Sequence, residues 1–261
     1  MYYYVPDVTS PDSYSPDQIA VGQLGGMPVA FPAERWPHCS ACEGAMSFIA
    51  QFNHHPQAVD LGASGRTLYI FMCQQDPGMC EDWYADGGAN ACLLLDHHEQ
   101  QTDTVYTIDA PLQGDTVPIH AWLRRESQLT PQEAHILAHQ DYPESMSKEE
   151  LSALWKKKIS GNTHMGGIPD WIQGADEGYR PGWEFVGQIE SGLKYLKQDD
   201  RRDITDPHHV DKAASYKSDK FNFGGGGAAY IFAERANTHI GEHIAEHIAE
   251  RPIFHFFWQC G

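Results

Sequence analysis

Three observations in this 261-residue chain predict an α+β fold of two related, mainly antiparallel β halves, with flanking and linking helices and a zinc-stapled loop pair. One is an ordered repeat of short segments along the chain. Another is the character of those segments, which are short apolar runs bounded by Gly, Pro, Asn and Asp. The last is two pairs of cysteines at metal-ligand spacing, all in the first half.

Leu24-Gly25-Gly26-Met27-Pro28 recurs as Met165-Gly166-Gly167-Ile168-Pro169. Met46 to Phe52 recurs as Trp183 to Ile189, and Leu68-Tyr69-Ile70-Phe71 as Ala229-Tyr230-Ile231-Phe232. Each half closes on a further apolar run, Ala91 to Leu95 and Ile253 to Trp258. A single match is within the reach of chance, but four in the same order argue for an internal duplication. Runs this short, rich in β-branched and aromatic residues, read as strands. Gly-Gly followed one residue later by Pro suits a tight turn. It lacks the Lys and Ser/Thr of a P-loop and the spacing of a dinucleotide fingerprint, so phosphate cradling is not expected there. Gly224 to Gly227 shares that deficiency and reads as a flexible hairpin loop.

Between the halves, Thr130-Pro131-Gln132-Glu133 is a capping box with Pro at the first helical position, leading into Ala134 to His139. Ser147-Lys148-Glu149-Glu150 opens a second helix through Leu151, Leu154 and Trp155, with Lys156, Lys157 and Lys158 expected in its last turn, where cations suit the helix dipole. The expected organisation is a flexible arm over 1–17, a first β half with the zinc site over 18–125, a helical connection over 126–160 and a second β half over 161–261. The polar segment 197–220 reads as an insertion loop in the second half.

Cys39-Ser40-Ala41-Cys42 is a C-x-x-C knuckle followed by Glu43-Gly44, where Gly permits the positive φ that such a knuckle often requires. Cys73 ends the Leu68–Phe71 strand, and Cys80 comes after a stretch containing Asp76-Pro77-Gly78, a strong turn signal. Two pairs from two loops are what a tetrahedral four-cysteine zinc site needs, and a reducing compartment favours metal over disulfides. A redox C-x-x-C is expected at the start of a helix in a thioredoxin-like pattern, which Trp36-Pro37-His38-Cys39 does not resemble. Two disulfides would need an oxidising compartment, and four separate core thiols are a further alternative. Cys92 and Cys260 read as ordinary core or terminal thiols, and His38 sits awkwardly for a ligand beside Cys39. A four-sulfur site leaves no position for water, so its expected work is to pin loops together rather than to catalyse.

Residues 239–250 read His-Ile-Gly-Glu-His-Ile-Ala-Glu-His-Ile-Ala-Glu, so His239–His243 and His243–His247 both match an inverted zinc-protease motif. The same tetrad places Ile240, Ile244 and Ile248 on one stripe, which is what a packing helix needs. Such a metal site also wants a third protein ligand. The packing helix is the expected reading.

Eighteen Lys and Arg stand against 36 Asp and Glu, a formal net charge of −18. Phosphate wants the opposite sign, so nucleic acid is not an expected direct partner. A strongly acidic surface attracts basic proteins over long range. No apolar run approaches the ~20 residues of a membrane span. The first residues lack the regions of a signal peptide, which makes cytoplasmic the expected location.

The order Gly-Gly-x-Pro, C-x-x-C, Phe48-Ile49-Ala50-Gln51, then Arg66-Thr67-Leu68-Tyr69-Ile70-Phe71 with Cys73 and Cys80, resembles the amino-terminal part of programmed cell death protein 2 and its relatives. The overall plan, with Met165 to Ile172 and Trp183 to Gln188, resembles the bacterial YwqG-like family of unknown function. The likeness covers roughly residues 20–95 and 160–258. It implies a duplicated, mainly antiparallel β architecture with flanking helices. It also implies an acidic binder of another protein. The eukaryotic relatives act as chaperones for a basic ribosomal protein, and related bacterial proteins beside toxin genes are read as immunity factors. Neither role brings catalytic residues to carry over. The His-rich tetrads and the lack of a second zinc site in the carboxyl half are departures from the pattern. The expected function is a non-enzymatic module that sequesters a basic protein, foremost as a toxin-neutralising immunity protein. The alternatives are a chaperone for a basic, ribosomal-type protein and a zinc hydrolase using His239, His243 and His247.

Overall fold

The computed structural model describes residues 1–8, 20–76, 78–159, 161–175, 180–194, 217–219, 221–234 and 251–261. In chain order the described elements are β1 (Tyr2–Val8), β2 (Gly22–Leu24), β3 (Ser47–Asn53), β4 (Thr67–Met72), β5 (Asn90–Leu95), β6 (Val117–Glu126), α1 (Pro131–His139), α2 (Lys148–Trp155), β7 (His164–Gly166), β8 (Trp183–Glu190), β9 (Gly192–Lys194), β10 (Lys217–Asp219), β11 (Ala228–Glu234) and β12 (Ile253–Gln259). Ten strands form one sheet in the order β12-β11-β8-β7-β1-β6-β2-β3-β4-β5, and every pairing in it is antiparallel. β9 and β10 form a separate hairpin.

The sheet curls until its two ends meet, so it is a nearly closed barrel. β5 lies against β12. Asn90 Nδ2 on β5 donates to the Phe256 carbonyl on β12 at 3.1 Å, and the Arg251 guanidinium reaches the Leu94 carbonyl at the other end of the seam. The apolar interior is contributed by both halves, including Leu24, Phe52, Ile70, Ile119, Met165, Ile231 and Phe256. The mainly antiparallel sheet with two helices matches the expected class.

Two long strands, β1 and β6, were not legible as such. Tyr2–Val8, expected in a flexible arm, is a central strand paired with both β6 and β7. Its Pro6 stands opposite Trp122, and β6 itself contains Pro118 opposite Gln23. Pro removes a ladder donor and argues against a strand in a sequence reading, yet both strands form: they pair with each other along seven positions, with one register shift at Asp7/Val8, and Tyr4, Val8, Val117 and Ile119 are buried. Residues 9–17 of the expected arm lie outside the described residues, as do 235–250 with the whole His-rich tetrad. Of the segment read as an insertion loop, only Lys217–Asp219 is described, as β10. Because β10 pairs with β9, Gly224–Gly227 is a turn entering β11 rather than a hairpin loop.

The halves correspond strand by strand. β3 pairs with β4 with Gln51 opposite Tyr69, and β8 pairs with β11 with Gln188 opposite Tyr230. The register slips at the matching place in both: Ile49 is skipped between Phe48 and Ala50, and Val186 between Phe185 and Gly187. Gly25 and Gly26 have positive φ, as do Gly166 and Gly167. β6 flanks β2 in one half and β1 flanks β7 in the other, so the two flanking strands meet in the middle of the sheet.

Both helix starts are capping boxes, as the sequence predicts: Thr130 with Glu133, and Ser147 with Glu150. Their apolar faces pack with Leu129, Ile159 and Ile168 in a separate small core. α2 ends at Trp155, so the three lysines come after it instead of filling its last turn. Lys157 pairs with Glu133 at 2.5 Å and Lys158 with Asp170, which ties the helices to each other and to the turn after β7.

Candidate metal centre

The outer face of β3, β4 and β5 carries a layer of aromatic side chains. Phe31, Trp36, Phe48, Tyr69 and Phe71 pack together there, with Phe31–Tyr69 and Trp36–Phe71 ring centroids 4.9 and 5.1 Å apart. Trp36 Nε1 donates to the Met46 carbonyl at 2.9 Å and so closes the base of the loop between them. The knuckle grows from that base. His38 bridges to Ala45, the Cys39 amide donates to Gly44, and the Glu43 amide donates back to Cys39 at 2.9 Å.

The positive φ of the knuckle falls on Glu43, at 60°, and not on Gly44. Gly44 is needed for a different reason. A Cβ there would lie 2.5 Å from Cγ of Gln75, whose Nε2 donates to the Ala45 carbonyl at 3.1 Å. Gln75 therefore braces the first cysteine loop from the second.

Cys73 comes directly after β4, and its amide donates to Ala89 at 2.7 Å. A turn closed by Met79 N to Asp76 O at 3.1 Å, with Gly78 at φ 78°, returns the chain to Cys80. The Ser40 amide donates to Gly88 at 3.0 Å, joining the knuckle to the segment after Cys80. Asn90 Nδ2 donates to the Asp82 carbonyl at 2.7 Å and to that of Tyr84 at 3.3 Å. No sequence motif marks Gln75 or Asn90 as braces. The Gly87-Gly88 pair ahead of Asn90 is a signal in hindsight, since a side chain at Gly88 would collide with Ser40.

These contacts bring the sulfurs of Cys39, Cys42, Cys73 and Cys80 to within 4.8 Å of one another, the sole such group among the described residues. Cys42 and Cys73 Sγ lie 3.7 Å apart, well beyond a disulfide bond of about 2.0 Å. Tetrahedral coordination with metal–sulfur bonds of about 2.3 Å places sulfurs about 3.8 Å apart. The donor set therefore fits a metal ion. Cys39, Cys73 and Cys80 are buried and Cys42 is exposed.

Without a cation, Cys73 and Cys80 resist ionisation. Burial pushes the Cys73 thiol far up and the Cys80 thiol up to about 11. Burial also acts upward on Cys39, but hydrogen bonds from the Cys42 and Ala41 amides outweigh it and hold that thiol below its ordinary range. A bound cation inverts this logic, because a coordinating thiol is deprotonated outright. All four positions of a tetrahedral ion would be filled by sulfur, so the chemistry available is structural pinning.

Cys92, on β5, and Cys260 lie outside the cluster, and His38 is engaged through its backbone bridge. His54 and His55 organise a turn: His54 Nδ1 accepts from Leu61 N at 3.1 Å and His55 Nδ1 from Ala58 N at 3.0 Å. Among the described residues no helix is long and apolar enough to cross a membrane. Compared with protein-family models, with curated proteins and with solved structures, the chain gives no match in any of the three.

Proposed function

We propose that the chain is a non-enzymatic, acidic protein-binding module that sequesters a basic protein partner, in first place a toxin that it neutralises as an immunity protein. The observation that carries this reading is where the charge lies. Between Trp36 and Leu123 there are eleven Asp and Glu and a single Arg or Lys, Arg66. Arg66 is 8% exposed and paired with Asp96 at 2.8 Å, so it offers no counter-charge to solvent. The segment from Trp36 to Leu123 therefore carries an excess of negative charge, lessened where Arg35, Arg180 and Arg251 pair with Glu99, Asp86 and Asp96, and suited to steering a basic protein. The likeness to YwqG-like proteins and to programmed cell death protein 2 points the same way.

We assign the ion to zinc and its role to structure. Four thiolates in a closed tetrahedral set are the donors zinc takes in structural sites, and binding energy there acts as folding energy. We also read the two halves as products of an internal duplication. Support comes from the shared registers and skipped residues, and from side chains that repeat the same work. Gln51 and Gln188 each accept from the residue after the Gly-Gly-x-Pro turn, Val29 N at 2.7 Å and Asp170 N at 2.8 Å. Tyr69 and Tyr230 each donate to the carbonyl of that residue at 2.9 Å.

Affinity capture with the full chain tests the function. A basic protein should be retained at about 0.15 M salt and released by about 0.5 M, as the Debye length shrinks. Retention of a partner with no basic character, or one indifferent to salt, would contradict the reading. Metal analysis of the same preparation should find one zinc per chain.

A further inference from the structure

The segment that returns from Cys80 toward β5 exposes an unusual run of side chains. Met79 is 73% exposed, Trp83 38% and Tyr84 37%. Asp76, Glu81 and Asp86 are exposed on the same loop, and Glu43 and Cys42 on the facing knuckle. No Lys or Arg lies in either loop.

The backbone beneath these side chains is held firmly. The Tyr84 amide donates to Glu81 at 3.1 Å and the Gly87 amide to Tyr84 at 3.2 Å. Asn90 holds the carbonyls of Asp82 and Tyr84, and the Trp258 amide reaches the Trp83 carbonyl at 3.4 Å. Cys80, at the head of the loop, is buried in the cluster. Apolar side chains exposed on a fixed backbone lose little freedom when a partner covers them, which is the condition for a strong contact. Aromatic residues and Met are also the types enriched in interface cores.

One guanidinium already sits at the edge of this patch. Arg180 Cζ lies 5.6 Å from the Tyr84 ring centroid and 4.6 Å from that of Trp183, and its head group pairs with Asp86. An aromatic face beside a carboxylate is thus shown to hold an arginine on this surface. Trp83 is a further ring of the same kind, with Glu81 and Asp76 on the same loop.

We propose that the tip of the Cys80 loop is the docking surface for the basic partner. Met79, Trp83 and Tyr84 form the platform, Asp76 and Glu81 the anionic rim, and the occupant is an arginine-bearing segment with interspersed apolar residues. Arginine fits better than lysine because its planar head stacks on an aromatic face while pairing with a carboxylate. The assignment rests on the basic-partner reading above and names where that partner lands.

The test is fluorescence anisotropy of the full chain with a labelled dodecapeptide alternating Arg and Leu. The double variant Trp83→Ala/Tyr84→Ala should weaken binding about tenfold, as loss of aromatic anchors does. Asp76→Asn/Glu81→Gln should weaken it about fivefold, while Glu144→Gln/Glu149→Gln, which removes the same charge from exposed positions beside and within α2, should change it less than about twofold. If the aromatic double variant proves misfolded by near-ultraviolet circular dichroism, Met79→Ser decides, with a loss of about threefold expected. Wild-type binding that the loop variants leave intact, or that both charge pairs weaken equally, overturns this docking surface and leaves the basic-partner reading standing. A wild-type chain that ignores the peptide at low salt overturns both.

Discussion

Over the outer face of β3, β4 and β5 the covering segment is tied by Gln51, Tyr69 and Trp36, and beyond these ties four thiols that could hold a metal ion come together. Over β8, β11 and β12 the covering segment is tied by Gln188 and Tyr230 in the same way, but that segment contains no cysteine. Gln259 instead accepts from Gln173 N at 3.0 Å and donates to Gly174 at 2.7 Å. Trp171 inserts beneath, its ring 4.7 Å from Tyr230 and stacked near Phe232 and Phe257, while its Nε1 donates to Ala138 at 2.7 Å. The shared turn and sheet set where each cover begins, and the rest of its path is free to differ. One half closes its cover by a polar cluster that wants a metal, the other by an indole that docks against α1.

Removing each closure in turn separates the two halves most clearly. Cys42→Ser should lose the metal and about 3 kcal/mol or more of stability, with thermal unfolding no longer sensitive to a chelator. Trp171→Ala should cost a similar 3–5 kcal/mol through the cavity it leaves, yet retain one metal per chain and full chelator sensitivity. Equal metal loss in both variants would mean that the covers are not independent.

A smaller effect is expected where the halves agree. Tyr69→Phe and Tyr230→Phe should each cost about 1 kcal/mol by urea unfolding, with Tyr230→Phe the larger by up to another 1 kcal/mol. The excess arises because the Tyr230 hydroxyl also accepts from Ile172 N at 3.1 Å, so its removal orphans a second backbone group.

The smallest effect comes from a position where the two halves differ. Gln23 Nε2 donates to the carbonyls of Gly25 and Met27, and the matching residue is His164, whose two nitrogens face the carbonyls of Asn162 and Ile168 at 3.0 and 3.2 Å. A neutral imidazole has one N–H, so it donates to one of these two carbonyls where Gln23 donates to both of its own. Burial holds the His164 pKa below 6.5, against an upward pull from both carbonyls and Asp170. The unfolded chain therefore binds more protons below pH 6.5, and stability falls as the pH falls through that value. His164→Gln should flatten this slope between about pH 7 and pH 5, read by urea unfolding at each pH. An unchanged slope would exclude His164 as its source.

Much of the sheet was legible because its strands are apolar runs with sharp Gly and Pro borders: β4, β5, β8, β11 and β12 contain the runs read from the sequence, within a residue or two. The helix starts were legible because a capping box is a local device. β1 and β6 were not, since each carries a proline and only pairing between distant segments makes them strands. The cysteine set was readable from spacing alone, whereas Gln75 and Asn90 act on backbone atoms brought near by the fold, which leaves no pattern along the chain. The left-handed Glu43 shows the same limit: the neighbouring glycine signals a tight place without saying which residue turns.

The meeting of β5 and β12 also decides how this chain behaves in company. Ile253-Phe254-His255-Phe256-Phe257-Trp258 is the kind of aromatic run, free of Lys, Arg, Asp and Glu, that recruits copies of itself when its edge is bare. Asn90 and Arg251 hold β5 against that edge, so the last strand is guarded by the opposite end of its own sheet rather than by charge along its sequence. That seam thus stands between a closed wall and a self-templating one.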